Sequence, residues 1–379
     1  MRWKSGEKSA QPTITQYHNI HTINTMNKIL SIIVPSYNME AYLPKCLGSL
    51  VIADKELLQK LDVIVVNDGS KDRTSEIAHE FEAKYPGIFR VIDKENGHYG
   101  SCINAGLAVA EGVYIKVLDA DDWFQTENLP RYITVLDTEA GKKGLGADLI
   151  VNDFAFVDGD KTVRKSYSWI TDKCRVVDFD FRNDRDLWMH AVAYKTDKLR
   201  AIDYRQLTGI VHTDIQWLQM PMRTVDRIAY YPKVLYAYLY LREGNSSAPD
   251  EFYRTYAVQE RILKHMIKEY ESLPSPPDAK HDTYLRNHLV FRARRAYQVH
   301  LLKRSPLLQE DSLIDLDTFL RDHARWIYEA TDHEPFSGKI PWRYIHAWRK
   351  RQRYSLWQKA ELRFYEKLRS VYCKLKDLI

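Results

Sequence analysis

Apolar residues arrive in short runs separated by polar, turn-forming clusters. Ile29-Leu30-Ser31-Ile32-Ile33-Val34 ends at Pro35, and Leu61-Asp62-Val63-Ile64-Val65-Val66 ends in Asn67-Asp68-Gly69-Ser70. Phe89-Arg90-Val91-Ile92 leads into a Gly-containing loop at 96–100, and Tyr114-Ile115-Lys116-Val117 runs into Leu118-Asp119-Ala120-Asp121-Asp122-Trp123. Runs this short and rich in β-branched residues read as parallel strands buried on both faces. The intervening pattern predicts helices over about 41–50 and 73–84, the second with Asp72 as N-cap, and a short helix after Gly100. Such alternation describes a doubly wound α/β sheet flanked by helices. Strands at 147–151 and 228–231 and a helix at 213–220 extend it. From residue 251 the pattern is helical, over 251–271, 284–303, 313–330 and 342–375, with a break at Ser272-Leu273-Pro274-Ser275-Pro276-Pro277.

Open α/β sheets bind ligands outside the carboxyl ends of their strands. Four polar loops end there: Pro35–Asn38, Asn67–Ser70, Asn96–Gly100 and Asp119–Asp121. Asp119, Asp121 and Asp122 repel one another, and a hard divalent cation would relieve that repulsion and share a substrate phosphate. The alternative is an acidic turn capping the next helix through Asp121 or Asp122.

Composition narrows the picture. The 379 residues are 45% hydrophobic and 28% charged, ordinary for a folded chain, and include 25 Tyr and 9 Trp. The net charge of +5 is uneven: residues 339–379 hold twelve Lys/Arg against three acidic residues. That tail interleaves its cations with Trp342, Trp348, Tyr354, Trp357 and Phe364. It reads as an interfacial helix on an anionic membrane surface, or as a helical bundle with solvated charges. Cys46, Cys102, Cys174 and Cys373 have no metal-ligand spacing and read as reduced cytosolic thiols. No run of 18 apolar residues would span a membrane, and residues 1–26 have no apolar core for a signal peptide and read as a disordered leader.

Four segments in order, Ile32-Ile33-Val34-Pro35-Ser36-Tyr37-Asn38, Val65-Val66-Asn67-Asp68-Gly69-Ser70-Lys71-Asp72-Arg73-Thr74, Asn96–Gly106 and Leu118–Trp123, resemble family 2 glycosyltransferases of the bacterial cell-surface polysaccharide type. The resemblance covers about residues 29–245. It implies a GT-A fold, a Rossmann-like mixed sheet flanked by helices, over 27–248. The donor half would be 27–123 and the acceptor half 124–248, with a helical C-terminal region at 249–379.

It also implies roles. A nucleotide-sugar donor, UDP-sugar favoured, would lie against Pro35, Tyr37 and Asn38, with Asp68 accepting the base's imide hydrogen. Gly100, Ser101, Asp119 and Ala120 would complete the donor side, and Arg242 would clamp the diphosphate. Asp121, with Asp119, would hold Mn2+ or Mg2+. Asp122, Trp123 and His190 would line the acceptor side, although Trp123 also reads as a core aromatic and His190 as a structural histidine. Asp214, in Val211-His212-Thr213-Asp214, would be the base, with Thr213 where relatives carry Glu. Its alternative is a carboxylate favoured at a helix start. The loop Asn96-Gly97-His98-Tyr99-Gly100-Ser101 resembles Asn-Gly-Gly-His-Gly-Ser. Cys102-Ile103-Asn104 lacks the Arg of the usual Ala-Arg-Asn, for which Lys116 or the C-terminal part would have to compensate.

The implied activity is inverting, metal-dependent transfer to a glycan or lipid-linked acceptor in surface polysaccharide synthesis. The expected place is the cytoplasm or the inner face of the cell membrane, and no nucleic-acid partner is expected. Two other readings are a sugar nucleotidyltransferase and a non-catalytic module docking to membrane or nucleic acid through its tail. The first lacks a Gly-rich phosphate loop after the first strand, and the second leaves the carboxylates without a task.

Overall fold

The computed structural model describes residues 28–179, 186–211, 213–240, 256–273, 277–301, 310–333, 343–350 and 364. The leader at 1–26, Arg242, His212 and most of the basic tail lie outside these.

The apolar runs form the predicted strands. β1 (Leu30–Ser36), β2 (Leu61–Asn67), β3 (Phe89–Asp93) and β4 (Tyr114–Val117) pair in parallel in the order 3-2-1-4. β1, β2 and β4 are buried along their whole length, as continuous apolar runs require. Between them lie α1 (Leu43–Gly48), α2 (Lys55–Gln59), α3 (Thr74–Lys84) and α4 (His98–Val109). α3 starts one residue later than expected, so Arg73 and not Asp72 stands at its N-cap, yet the Asp72 carboxylate still receives the Thr74 N–H at 3.0 Å. α4 begins at His98, so Gly100 and Ser101 stand in its first turn rather than in a loop.

Beyond Asp119 the sheet turns mixed. β5 (Trp123–Phe124), α5 (Leu129–Gly141), β6 (Leu149–Asp158), β7 (Lys161–Lys165), β8 (Val192–Lys195), α6 (Thr196–Arg200) and β9 (Ile228–Leu239) follow. The order continues from β4 through β8, β6 and β9 to β5, with β7 on β6. β8 runs antiparallel to both β4 and β6, whereas β6 and β9 are parallel. The two strands expected at 147–151 and 228–231 are much longer than their apolar starts. The helix expected at 213–220 is instead a pair of 3-10 turns, Thr213–Leu218 and Met220–Thr224, because Pro221 removes a backbone donor.

Helices α7 (Tyr256–Glu271), α8 (Ala279–Leu301), α9 (Glu310–His323), α10 (Arg325–His333) and α11 (Tyr344–Arg349) build a second apolar core. The stretch expected as one helix over 313–330 breaks after His323. Ile210 is buried in this core and Leu207 and Ile215 pack on it. Tyr284 of α8 donates to the Leu218 carbonyl at 2.9 Å. The helices thereby buttress the segment that carries Asp214.

Burial raises the carboxyl of Glu269 on α7 to about 7, against a smaller opposing pull from Arg223. A carboxyl raised in the fold binds more protons folded than unfolded. Its neutral form is compatible with the fold at low pH, and stability falls as pH climbs from the unfolded value of 4.5 toward 7. Each tenfold gain in proton affinity corresponds to about 1.4 kcal/mol, so Glu269→Gln is expected to raise stability at pH 8 by roughly 1–3 kcal/mol and to change nothing at pH 4. Thermal melts of both proteins at the two pH values check this; an equal effect at both would remove the ionisation as its cause.

Candidate active site

The site lies at the carboxyl ends of β1, β2 and β4. β1 closes with Pro35 buried inside the strand opposite Val66, so Pro35 shapes the turn from within the sheet. Tyr37 then emerges 46% exposed. Asn38 has φ +54, and Gly69 in the neighbouring loop has φ +73. The Asn38 side chain accepts from the Lys71 N–H at 2.8 Å, and its own N–H reaches Ser70 Oγ at 3.0 Å. The first two loops are thus sewn together below Tyr37.

Asp68 is 3% exposed. Its Oδ1 accepts from Lys94 Nζ at 2.6 Å and from the Gly97 N–H at 2.9 Å. Burial works against its charge, but the Lys94 ammonium and the backbone donors outweigh burial and hold the carboxyl below its usual range. Asp68 is therefore an ionised acceptor. Lys94 also bonds Ser101 Oγ at 2.9 Å, joining the second loop to α4. Ser101 Oγ itself donates to the His98 carbonyl at 2.7 Å. Gly100 is buried, and a Cβ there would stand 2.0 Å from the Leu207 carbonyl oxygen, so only glycine lets α4 meet that segment.

After β4 the chain enters Asp119–Asp122. Tyr99 Oη donates to Asp119 Oδ1 at 2.7 Å, and the Asp119 N–H donates to Tyr236 Oη at 3.1 Å. Ala120 is buried and Asp121 is partly exposed. Asp122, expected on the acceptor side, is only 1% exposed and turned into the sheet. Tyr236 Oη donates to one of its oxygens at 2.6 Å and the Leu239 N–H to the other at 2.7 Å. It fastens the acidic loop to β9. Burial first, and then the charges of Asp121 and Asp119, push its carboxyl well above the usual range. Trp123 pairs with Ala237 in β5, and the Lys45 ammonium covers its ring at 3.0 Å, which binds it to α1.

His190 is 6% exposed and stacks on Tyr238 with ring centres 4.4 Å apart. Burial and then the charge of Lys116 lower its imidazole to about 3, so it is neutral, and its Nδ1 has no hydrogen-bond partner among the described residues. Asp119, Asp122 and His190 bring ligand atoms within 4.8 Å of one another. This cluster of two carboxylates and one imidazole does not include Asp121, which was expected as a metal ligand, and both Asp122 oxygens in it are already held by Tyr236 and Leu239. Lys116 is not available for a donor phosphate: it is wholly buried, its ammonium bonded to Asn152 Oδ1 and to the carbonyls of His190 and Val192 at 2.8–3.1 Å.

Asp214 stands on the Thr213–Leu218 turn, partly exposed. Buried Thr213 donates to Gln206 Oε1 at 2.9 Å and is a structural tie. Asp214 is close enough to Tyr99 for its charge to contribute, after burial and Asp119, to raising that hydroxyl well above its usual range. The structure thus links Asp68 to Ser101 through Lys94, links Asp119 to α4 through Tyr99, and brings Asp214 near that same hydroxyl. Lys94, Tyr99 and Tyr236 are the functional neighbours that sequence reasoning missed. A Tyr at every second position, 236, 238 and 240, was the available signal for the last.

The glycosyl transferase family 2 model matches residues 31–142, which contain four of the five loops of this site. The match to glycosyl transferase family 2 is thus carried by the segment that forms β1 to β5 and their loops. The Bacillus subtilis glycosyltransferase EpsJ is 39% identical to this chain over 106 residues, 28% of this chain and 30% of EpsJ. The Escherichia coli glycosyltransferase YibD is 28% identical over 267 residues, 65% of this chain and 73% of YibD. The chain thus spans about a third of the length of EpsJ. The chain shares its fold with Staphylococcus aureus TarS in a complex with UDP-GlcNAc, at a TM-score of 0.63 and 20% identity, covering 90% of this chain and 92% of that one. The fold is therefore GT-A, with a helical region following it.

Proposed function

We propose that the protein is an inverting glycosyltransferase that moves a sugar from a nucleotide-sugar, UDP-sugar favoured, to a glycan or lipid-linked acceptor in surface polysaccharide synthesis. One observation carries this reading: Asp68, the Asp119–Asp121 loop and Asp214, from three separate segments, all meet the first turn of α4, Asp68 through the Gly97 N–H, Asp119 through the Tyr99 hydroxyl and Asp214 through its charge on that hydroxyl. The similar fold of TarS, a protein that binds UDP-GlcNAc, supports the choice of uridine.

Asp68, kept ionised by Lys94 and the Gly97 N–H, accepts the imide hydrogen of the base, and exposed Tyr37 offers a ring face beside it. Asp119 and Asp121 hold Mn2+ or Mg2+, which when bound would stabilise the negative charge of a departing diphosphate. Asp214 takes the proton from the acceptor hydroxyl as it attacks the anomeric carbon from the face opposite the leaving group. His190, neutral and stacked among Tyr236 and Tyr238, forms an apolar wall on the acceptor side. Arg242 and the basic tail keep their proposed parts, diphosphate contact and docking on anionic membrane. Among the described residues no helix is long and apolar enough to cross a membrane.

Thermal shift with a panel of nucleoside diphosphates, with and without Mn2+, tests the donor site. UDP with Mn2+ is expected to raise the melting temperature by several degrees at saturating ligand, and UDP alone by much less. No rise with any nucleotide would sink the reading and favour a non-catalytic module.

A further inference from the structure

His98 is the first residue of α4 and has φ +63, a left-handed conformation that is uncommon outside glycine. The motif this loop resembles has Gly at that position and His at the next. Here Tyr99 follows that turn, and its hydroxyl donates to Asp119 Oδ1 at 2.7 Å. Met189 Sδ lies 3.6 Å away on the other side of that hydroxyl.

The same helix is bolted to the segment that leads to Asp214. Asn104 donates to the Gln206 carbonyl at 2.9 Å and accepts from its N–H at 2.8 Å. The Gly209 N–H donates to the Gly97 carbonyl at 2.9 Å. Gly100 lies against Leu207 with no room for a side chain. One helix therefore touches the acidic loop on one side and the 206–209 strap on the other.

We propose that Tyr99 is a positioning residue that orients the Asp119 carboxylate, and that the first turn of α4 sets the separation between Asp119 and Asp214. The inference rests on the reading of those two carboxylates as the donor-side and acceptor-side groups. By holding Oδ1, Tyr99 fixes the plane of the Asp119 carboxylate. A hydrogen bond to a charged group fixes a geometry that substrate binding then need not impose.

The test is UDP binding in the presence of Mn2+, measured by calorimetry on the full chain. Tyr99→Phe is expected to weaken binding about tenfold, a loss in keeping with one hydrogen bond to a charged group. Tyr99→His, which restores an N–H donor, is expected to recover part of it. In an Asp119→Ala background, Tyr99→Phe should cost nothing further. Wild-type affinity in Tyr99→Phe, or the same tenfold loss with Asp119 absent, would overturn the proposal. If the unaltered protein binds no nucleotide, it is the functional reading that fails. The positioning role is then judged on melting temperatures of the unaltered protein, the two single variants and the double variant: losses smaller in combination than in sum support it, and additive losses overturn it.

Discussion

Asp121→Asn is expected to lower the rate of sugar transfer about a thousandfold and to abolish the Mn2+ dependence of UDP binding. The charge lost is one of the two that would hold the cation, and removing electrostatic stabilisation of a leaving group commonly costs that much. The fold should not suffer. Asp121 is only partly buried, and its charge is, after burial, the main cause of the unfavourable state of Asp122. Removing it should leave the melting temperature unchanged or slightly higher. Donor consumption and a thermal melt of the same sample check both halves. A variant that transfers sugar at a normal rate would show that the cation, if bound, is held elsewhere.

Asp214→Asn is expected to reduce turnover by about 10²- to 10⁴-fold, the usual range for losing a general base, while leaving Mn2+-dependent UDP affinity near that of the unaltered protein. The two carboxylates are thus separated by readout: Asp121 governs donor binding and rate together, Asp214 the rate alone. The expectation depends on how the residue is carried. Its turn is pinned by Thr213 to Gln206 and by α8 to Leu218, and neither tie involves the Asp214 carboxylate. Loss of UDP binding in this variant would instead make Asp214 part of the donor site.

The parallel part of the sheet was legible because β1 and β2 are buried on both faces, so that Ile32–Val34 and Val63–Val66 carry a signal no loop could imitate. The loops at their ends were legible as loops from Pro35, Gly69 and the carboxylates. What could not be read was direction. Asp122 and Asp121 are adjacent and chemically identical, and only the pairing of β9 beside the loop turns one into the sheet and leaves the other partly exposed. Lys116 looked like a reserve phosphate ligand because nothing local shows that β8 and β6 will surround it with carbonyls and an amide. The 213–220 stretch has the composition of a helix, and tertiary ties plus Pro221 made it 3-10 turns. The acceptor half depends on contacts between residues far apart in the chain, and its β7 and β8 carry no comparable apolar run.

The enclosed ammonium of Lys116 also bears on how such proteins can be recombined. It lies on β4, before residue 123, yet all three of its acceptors, Asn152, His190 and Val192, lie beyond residue 148. A chimera joining residues 28–123 of this chain to another parent's acceptor half inherits a cation suited to a cage that the other parent does not supply. Such a hybrid should misfold or aggregate unless Asn152 and the 188–192 backbone path travel with it. The natural crossover points are therefore those that keep Lys116 and its cage in one parental block, whatever the apparent division of labour between donor and acceptor.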